Sequence, residues 1–514
     1  MIIKKIMMGL LIMLLFGLST SSFFLNDYLT KVITKNEHTA SQLSFAIEVD
    51  NFAALNFAWK NSLLHSEQWL NYGKEVAKTQ GEAAYQLAVY YQTKTEPKPK
   101  KAIFWYENAI RLQYPKAAVA LAQYYFQHDK LTTATQIITA ISIEALADLT
   151  VSAIALKINI AINLGEVATV NKLIVQYADL LKNSEVGQLL LADIHRYHVL
   201  FNVVPPSEIN LLPLSCNNSI QLFATSLKHL KHLERIIVDF KEQTLSNNVC
   251  FTPVRYIPIN ELDCNNDPHR AITCNEMRWE LRAKIINTRY AGVMLPEGGA
   301  NVHLGMLYFD AQDSVDVFAH EISHLLGFVD EYALTPEHNI CQQVQKEVFS
   351  QNISVLSNRY QGNRKAVRVD VLRQLAWAKY IKDSTPILQA VSENTGEKIW
   401  QLGTPEEFAH EVGVFYAKSC DKSLNSSKNN FSAFKGVSQR TKLQYFALSF
   451  PQVYKKLLHE NITEYRMPSF RYNIALAYLH QGGTNNEFTE RARYWMKQAK
   501  DWSNAVERGQ NKGR

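Results

Sequence analysis

At 514 residues the chain exceeds what one hydrophobic core organises, so two or three domains are expected. Its composition, 47% hydrophobic and 20% charged, is that of a globular protein. The net charge of +6 is thin over so long a chain and comes with no basic stripe or recognition motif, so nucleic acid is not an expected partner.

Residues 1–25 read as a signal peptide or a membrane anchor. Lys4 and Lys5 precede an uncharged run from Ile6 to Leu25, strongly apolar as far as Leu18. Small residues Ser19 to Ser22 follow, where a signal peptidase can cut. Phe23 to Leu25 extend the run to about the length that spans a bilayer, which keeps the anchor reading open. Both readings export the rest of the chain to the periplasm, the membrane surface or the medium, and the two lysines favour that orientation.

Residues 27–200 read as helical, with apolar residues recurring at three- and four-residue steps. "GEAAYQLAVYYQTK" at 81 is echoed by "PKAAVALAQYYFQH" at 115. Leu87, Ala88 and Tyr91 recur as Leu121, Ala122 and Tyr125, a shift of 34 residues. A period in the thirties with small residues at fixed places describes stacked helical hairpins. This resembles the Sel1-like subset of tetratricopeptide repeats, most clearly over residues 80 to 145. The resemblance implies a protein partner held on one face of the array. Near the C-terminus "YNIALAYLHQGG" and "RARYWMKQA" return to the theme, with Leu476, Ala477, Ala492, Trp495 and Ala499 in the earlier order.

The texture changes near residue 200. "FNVVPPSEINLLPLSC" is a linker, with Pro205 and Pro206 together. Beyond it "RIIVDF" (235–240), "AKIINT" (283–288) and "LGMLYFD" (304–310) read as strands, and the polar run from Cys420 to Ser438 reads as a mobile loop. All six cysteines, Cys216, Cys250, Cys264, Cys274, Cys341 and Cys420, lie in this half. An even number in an exported chain predicts three disulfides, with the short loop favouring Cys264–Cys274.

The segment His320–Tyr332, "HEISHLLGFVDEY", carries the chemistry. His320 and His324 at i, i+4 share one helix face, close enough to bind one metal ion. Glu321, one step round, is placed to reach a water rather than the metal. Gly327 allows the helix to end in a sharp turn that brings Asp330 back as a third ligand. Three protein ligands with a fourth position open describe a catalytic zinc, one Zn2+ ion. Glu347 is a competing third ligand, as a glutamate on a later helix. His269, His303, His338 and His410 are scattered and read as ordinary histidines.

HExxH followed by glycine and a ligand at these intervals resembles the metzincin clan of zinc peptidases. The Asp-Glu-Tyr ending resembles its IgA-peptidase-type family, a secreted group, over residues 280 to 420. That family has one more residue between the second histidine and the acidic pair, so Glu331 stands as the alternative ligand, with the clan spacing favouring Asp330. The resemblance implies a methionine turn, for which "EYRMPSF" around Met467 is the candidate. It also directs attention to Tyr332 and Tyr465 as donors to a transition-state oxyanion.

The expected architecture is multidomain: an all-α helical-hairpin repeat domain at 27–200, an α+β zincin-like catalytic domain at 201–470, and a helical hairpin at 471–514. The expected function is an exported zinc-dependent metalloendopeptidase acting on a protein or peptide substrate. Glu321 is its general base, and "LGMLYF" pairs with the substrate by strand addition. The alternative is an envelope adaptor that works through its repeats and keeps an inactive zincin domain.

Overall fold

The computed structural model describes residues 23–141, 146, 149–200, 216, 218–265, 267, 270–391, 398–422, 430–482 and 486–511. Nearly all of the signal or anchor segment, the linker at 201–215 and His269 lie outside them. Among the described residues no helix is long and apolar enough to cross a membrane. The chain forms two compact units, residues 1–160 with 172–190, and residues 161–171 with 191–514.

The first unit is helical. Its centre is two successive hairpins, Gly81–Thr93 with Pro99–Arg111, and Pro115–Gln127 with Leu131–Thr139. Pro99 and Pro115 occupy first-turn positions, where a missing N–H costs nothing. Ala84, Leu87, Ala88, Ala102, Ala109, Leu121 and Ala122 are all buried. The alanines let paired helices approach closely, while Tyr91 and Tyr106 fill the gaps around them. Thr39 closes a capping box on the helix Ala40–Glu48.

The second unit is built on a mixed sheet. Its strands are β1 (Ser219–Ala224), β2 (Cys250–Phe251), β3 (Arg255–Tyr256), β4 (Tyr290–Leu295), β5 (Asn301–His303) and β6 (Met306–Asp310). Their order is β2-β1-β4-β6-β5, with β3 also pairing β1. All pairings are parallel except that of β5, which runs antiparallel along the edge. β1 and β4 are buried along their whole length, as parallel strands covered on both faces should be. Gly292 sits within β4 because a Cβ there would lie 2.9 Å from Leu222 and 3.0 Å from Leu307 on the flanking strands.

Four sequence expectations change here. "RIIVDF" is the end of a helix, Leu227–Phe240, capped by Ser226. Leu230, Leu233, Ile236 and Phe240 form its buried stripe while Val238 is exposed, a helical period rather than a strand's. "AKIINT" holds the last residue of the short helix Glu280–Ala283 and the turn after it. "LGMLYFD" does contain a strand, but β6 is interior. Met306 to Tyr308 are covered by β4 on one side and β5 on the other, so the edge strand on that side is β5. The polar run after Cys420 contains a strand, β12 below.

Two small antiparallel sheets follow. One joins β7 (Ser354–Ser357), β11 (Phe415–Ala417) and β12 (Phe431–Lys435) in the order β11-β12-β7. The other joins β8 (Arg359–Gln361), β9 (Leu388–Val391) and β10 (Ile399–Leu402) in the order β8-β10-β9. The C-terminal helices, Phe470–Gly482 and Asn486–Asn511, share a core with the main sheet. Ile474, Ala475, Tyr478, Ala492 and Trp495 pack with Ala291, Val293, Met306 and Trp279. Leu476 and Ala477 are only half-buried, unlike Leu87 and Ala88.

The cysteines form three disulfides, Cys216–Cys250, Cys264–Cys274 and Cys341–Cys420. They suggest an oxidising, exported compartment.

The tight alanine contacts of the helical unit make it intolerant of added volume. Ala88→Leu should destabilise it by about 1–3 kcal/mol through overpacking, read as a lower midpoint in denaturant unfolding of that unit.

Candidate metal centre

The helix Val315–Leu325 begins at Ser314, whose hydroxyl accepts the Val317 N–H. Phe318, Ile322 and Leu325 turn one stripe into the core. There Phe318 meets Phe240, Phe251 and Phe309 at ring separations of 5.4, 5.9 and 5.3 Å. This clamps the helix against β6 and the helix Leu227–Phe240, and it leaves His320 and His324 on another face.

The helix stops at Gly327, φ +91°. The Gly327 N–H bonds the His324 carbonyl and the Phe328 N–H bonds the Ser323 carbonyl, the Schellman arrangement. No other residue fits, since a Cβ would lie 2.3 Å from the Tyr465 carbonyl oxygen. The reversal brings Asp330 back to the two histidines.

Each imidazole is fixed by a backbone carbonyl. His320 Nδ1 lies 2.9 Å from the Lys442 oxygen and His324 Nδ1 lies 3.0 Å from the Phe328 oxygen. A carbonyl only accepts, so both Nδ1 atoms carry hydrogen and both Nε2 atoms present lone pairs in the neutral ring. The two Nε2 atoms are 3.2 Å apart, and Asp330 Oδ1 lies 3.1 and 3.3 Å from them. That oxygen is buried and has no hydrogen-bond donor. Three electron-rich atoms thus converge on one point, an arrangement that repels itself unless a proton or a cation sits among them. Two imidazoles and a carboxylate are a donor set suited to zinc, and the triad is near enough to hold a metal ion.

The electrostatics follow. Burial by itself lowers the pKa of His324, but the Asp330 carboxylate, with Glu321 behind it, raises it to about 10. Burial opposes ionisation of Asp330, yet His324 and His320 hold it well below the usual carboxylate range. Glu321 is buried and its pKa is raised by that burial, with the two histidines pulling the other way. Nearby Asp313 is pushed up to about 6, first by burial, with Asp310 and Glu321 adding to it.

Asp330 and Glu331 face different surroundings. Glu331 is buried, 2.7 Å from Lys435 Nζ, and accepts from the Tyr454 hydroxyl at 2.7 Å and from Asn352 Nδ2 at 3.2 Å. Its carboxylate is therefore engaged with β12 and its neighbours, away from the histidine pair. Asn352 also brackets Val329, accepting from its N–H at 2.9 Å and donating to its carbonyl at 2.8 Å. The Ser419 hydroxyl donates to the Asp330 carbonyl at 2.6 Å, and the Glu331 N–H donates to the Leu443 carbonyl. Cys420, next to Ser419, is tied to Cys341. None of these supports was legible in the sequence, because each partner lies 21 to 123 positions away.

The other candidates divide. Tyr332 stacks 6.4 Å from the His320 ring. Its pKa is raised first by burial and then by the nearby Asp330 charge, so it stays protonated. Burial and the neighbouring Glu464 charge raise the pKa of Tyr465, while the backbone of Tyr465 packs on Gly327. The Met467 N–H bonds the Leu325 carbonyl at the end of the site helix. The Met467 carbonyl accepts from Arg289 Nη2 at 2.8 Å and from the Tyr290 hydroxyl at 3.2 Å. Glu347 is exposed on an irregular segment, not on a helix, and is not part of the triad. His303 lies on β5, His338 and His410 are exposed, and none of these three joins the metal cluster.

The chain matches no family model, no curated protein and no solved structure.

Two outcomes follow from this geometry. Lys435→Met strands the Glu331 charge in the interior and should cost about 3–5 kcal/mol in denaturant unfolding, with Glu331→Gln added to it restoring much of the loss. Because His324 holds a proton up to about pH 10 until an ion displaces it, metal uptake at neutral pH should release a proton. Calorimetric titration in buffers of different ionisation enthalpy reads that proton directly, and equal heats in all buffers would contradict it.

Proposed function

We propose that the protein is an exported zinc metalloendopeptidase of metzincin type, resembling the IgA-peptidase-type family. The observation that carries this reading is the convergence of His320, His324 and Asp330 lone pairs on one point, with Glu321 one residue along the same helix. Zinc held there supplies a Lewis acid.

The chain's own groups supply the rest. The Glu321 carboxylate takes a proton from the attacking water and delivers it to the leaving amine. Its buried setting raises its pKa from that of a free carboxylate, which suits a group that must both accept and release a proton. The Tyr332 hydroxyl, kept protonated by burial and by the Asp330 charge, would donate to a developing oxyanion. The carbonyls of Lys442 and Phe328 hold the histidine rings in one tautomer. β5 is an edge strand of the main sheet, against which an extended peptide would add.

The sequence around the zinc helix supports the family reading, and the three disulfides support export to the periplasm, the membrane surface or the medium. The helical unit, with its Sel1-like spacing, is proposed to hold a protein partner.

Glu321→Gln should abolish hydrolysis while metal content stays near one ion per chain by elemental analysis, and Asp330→Ala should lower that content. Comparison of cleaved termini in mixed peptides, wild type against Glu321→Gln, with and without a chelator, identifies the bonds cut. Full turnover by Glu321→Gln would sink the mechanism. A zinc-loaded wild type that cuts nothing would favour the adaptor reading.

A further inference from the structure

Beside the metal triad the chain exposes apolar surface that its fold does not use. The segment 441–449, "TKLQYFALS", is a short closed loop. The Tyr445 N–H bonds the Thr441 carbonyl at 3.0 Å and the Leu448 N–H bonds the Tyr445 carbonyl at 2.9 Å. Lys442, itself buried, reaches Asp316 on the first turn of the site helix at 2.8 Å and also donates to the Phe446 carbonyl. Its own carbonyl fixes His320. The loop is therefore fastened to the same helix that carries the ligands. Yet Tyr445, Phe446 and Leu448 are 50, 52 and 38% exposed.

Phe446 stands edge-on to the His320 ring at 6.1 Å, and Tyr332, 44% exposed, lies nearly parallel to that ring at 6.4 Å. Two open aromatic surfaces thus border one metal-ligating imidazole. A substrate bound at this imidazole would have both rings within reach of the side chains beside its reacting bond. Water on a rigid aromatic surface is displaced favourably by an apolar side chain, and aromatic pairs add an oriented contact.

We propose that the site selects peptides with a bulky apolar residue, aromatic above all, flanking the bond that is cut, and that Phe446 with Tyr332 forms the seat for that residue. The inference rests on the peptidase reading above. Phe446 acts here as a specificity determinant. Ordering of the loop by Lys442 means the seat is formed before substrate arrives, so selectivity costs little loop entropy on binding.

The test uses the zinc-loaded full chain and peptide pairs that differ only by phenylalanine or alanine beside the cleaved bond. Wild type should favour phenylalanine by roughly ten- to a hundredfold in kcat/KM. Phe446→Ala should collapse that ratio several-fold or more at unchanged metal content, and Phe446→Leu should keep part of it. Cleavage without preference, or a preference untouched by Phe446→Ala, overturns the proposal.

A second readout is independent of turnover. Peptide hydroxamates bearing phenylalanine or alanine are titrated into zinc-loaded Glu321→Gln. Tighter binding of the phenylalanine form by about tenfold or more supports the seat, and equal affinities overturn it even if hydrolysis occurs. Absence of hydrolysis with selective binding would instead fault the peptidase reading alone. Binding to phosphatidylglycerol vesicles that is lost in Phe446→Ala, with no change in peptide preference, assigns the loop to a membrane and likewise overturns the proposal.

Discussion

The convergence of His320, His324 and Asp330 depends on a buried ion pair that is not part of the triad. Glu331 and Lys435 meet at 2.7 Å with almost no solvent access. Such a pair gives up hydration on both sides, and here the loss is offset by Tyr454, Asn352 and the Gln439 carbonyl, which occupy the remaining hydrogen-bonding positions. Its return is positional. Asp330 and Glu331 are adjacent but face opposite surroundings, the histidine pair and Lys435. With Glu331 held inward, Asp330 is left to the histidines. The order Asp-Glu divides two carboxylates into two settings, one facing the histidine pair and one facing the fold.

The ligand helix and its reversal were legible in the sequence because they are local. The i, i+4 histidines, the glycine that ends the helix and the aspartate three residues later all lie within one short stretch. The choice between Asp330 and Glu331 was open at that level, because what separates them is Lys435, 104 positions away. The same limit explains the strand assignments. "RIIVDF" is a short apolar run whose six residues fit a strand as well as a buried helix face. Its helical period appears only when Leu227, Leu230 and Leu233 are counted with it. "LGMLYFD" was recognisable as a strand, but whether a strand is edge or interior is decided by partners, and β5 and β4 are not written in its own residues. The small sheets went unseen for a related reason. β12 lies in a polar, serine- and asparagine-rich run, and Lys435 within it is buried only because Glu331 awaits it.

The histidines show how a fold selects a tautomer. Two backbone carbonyls, one on each Nδ1, leave both Nε2 atoms no choice but to face the Asp330 oxygen. One carbonyl comes from the turn just after the helix and the other from the loop at 442, so the geometry closes only when both segments are in place. Beneath them, Arg289 and Tyr290 at the start of β4 hold the Met467 carbonyl, and the Met467 N–H holds the end of the helix. The main sheet thus grips the ligand helix from both of its ends: at Phe318 through packing and at Leu325 through hydrogen bonds.

The ligands span eleven positions of chain, from His320 to Asp330, but their supports come from Asn352, Ser419, Lys435 and Lys442. An ion bound by the triad is therefore linked to the unfolding of the small sheet β11-β12-β7 as well as to the site itself. A ligand that binds only the folded state adds about 2.7 kcal/mol when present at a hundred times its Kd. For this chain that is an argument about lifetime. In surroundings poor in metal the region from β7 to β12 would open more often and meet proteases sooner, so ion supply would govern how long the folded molecule survives.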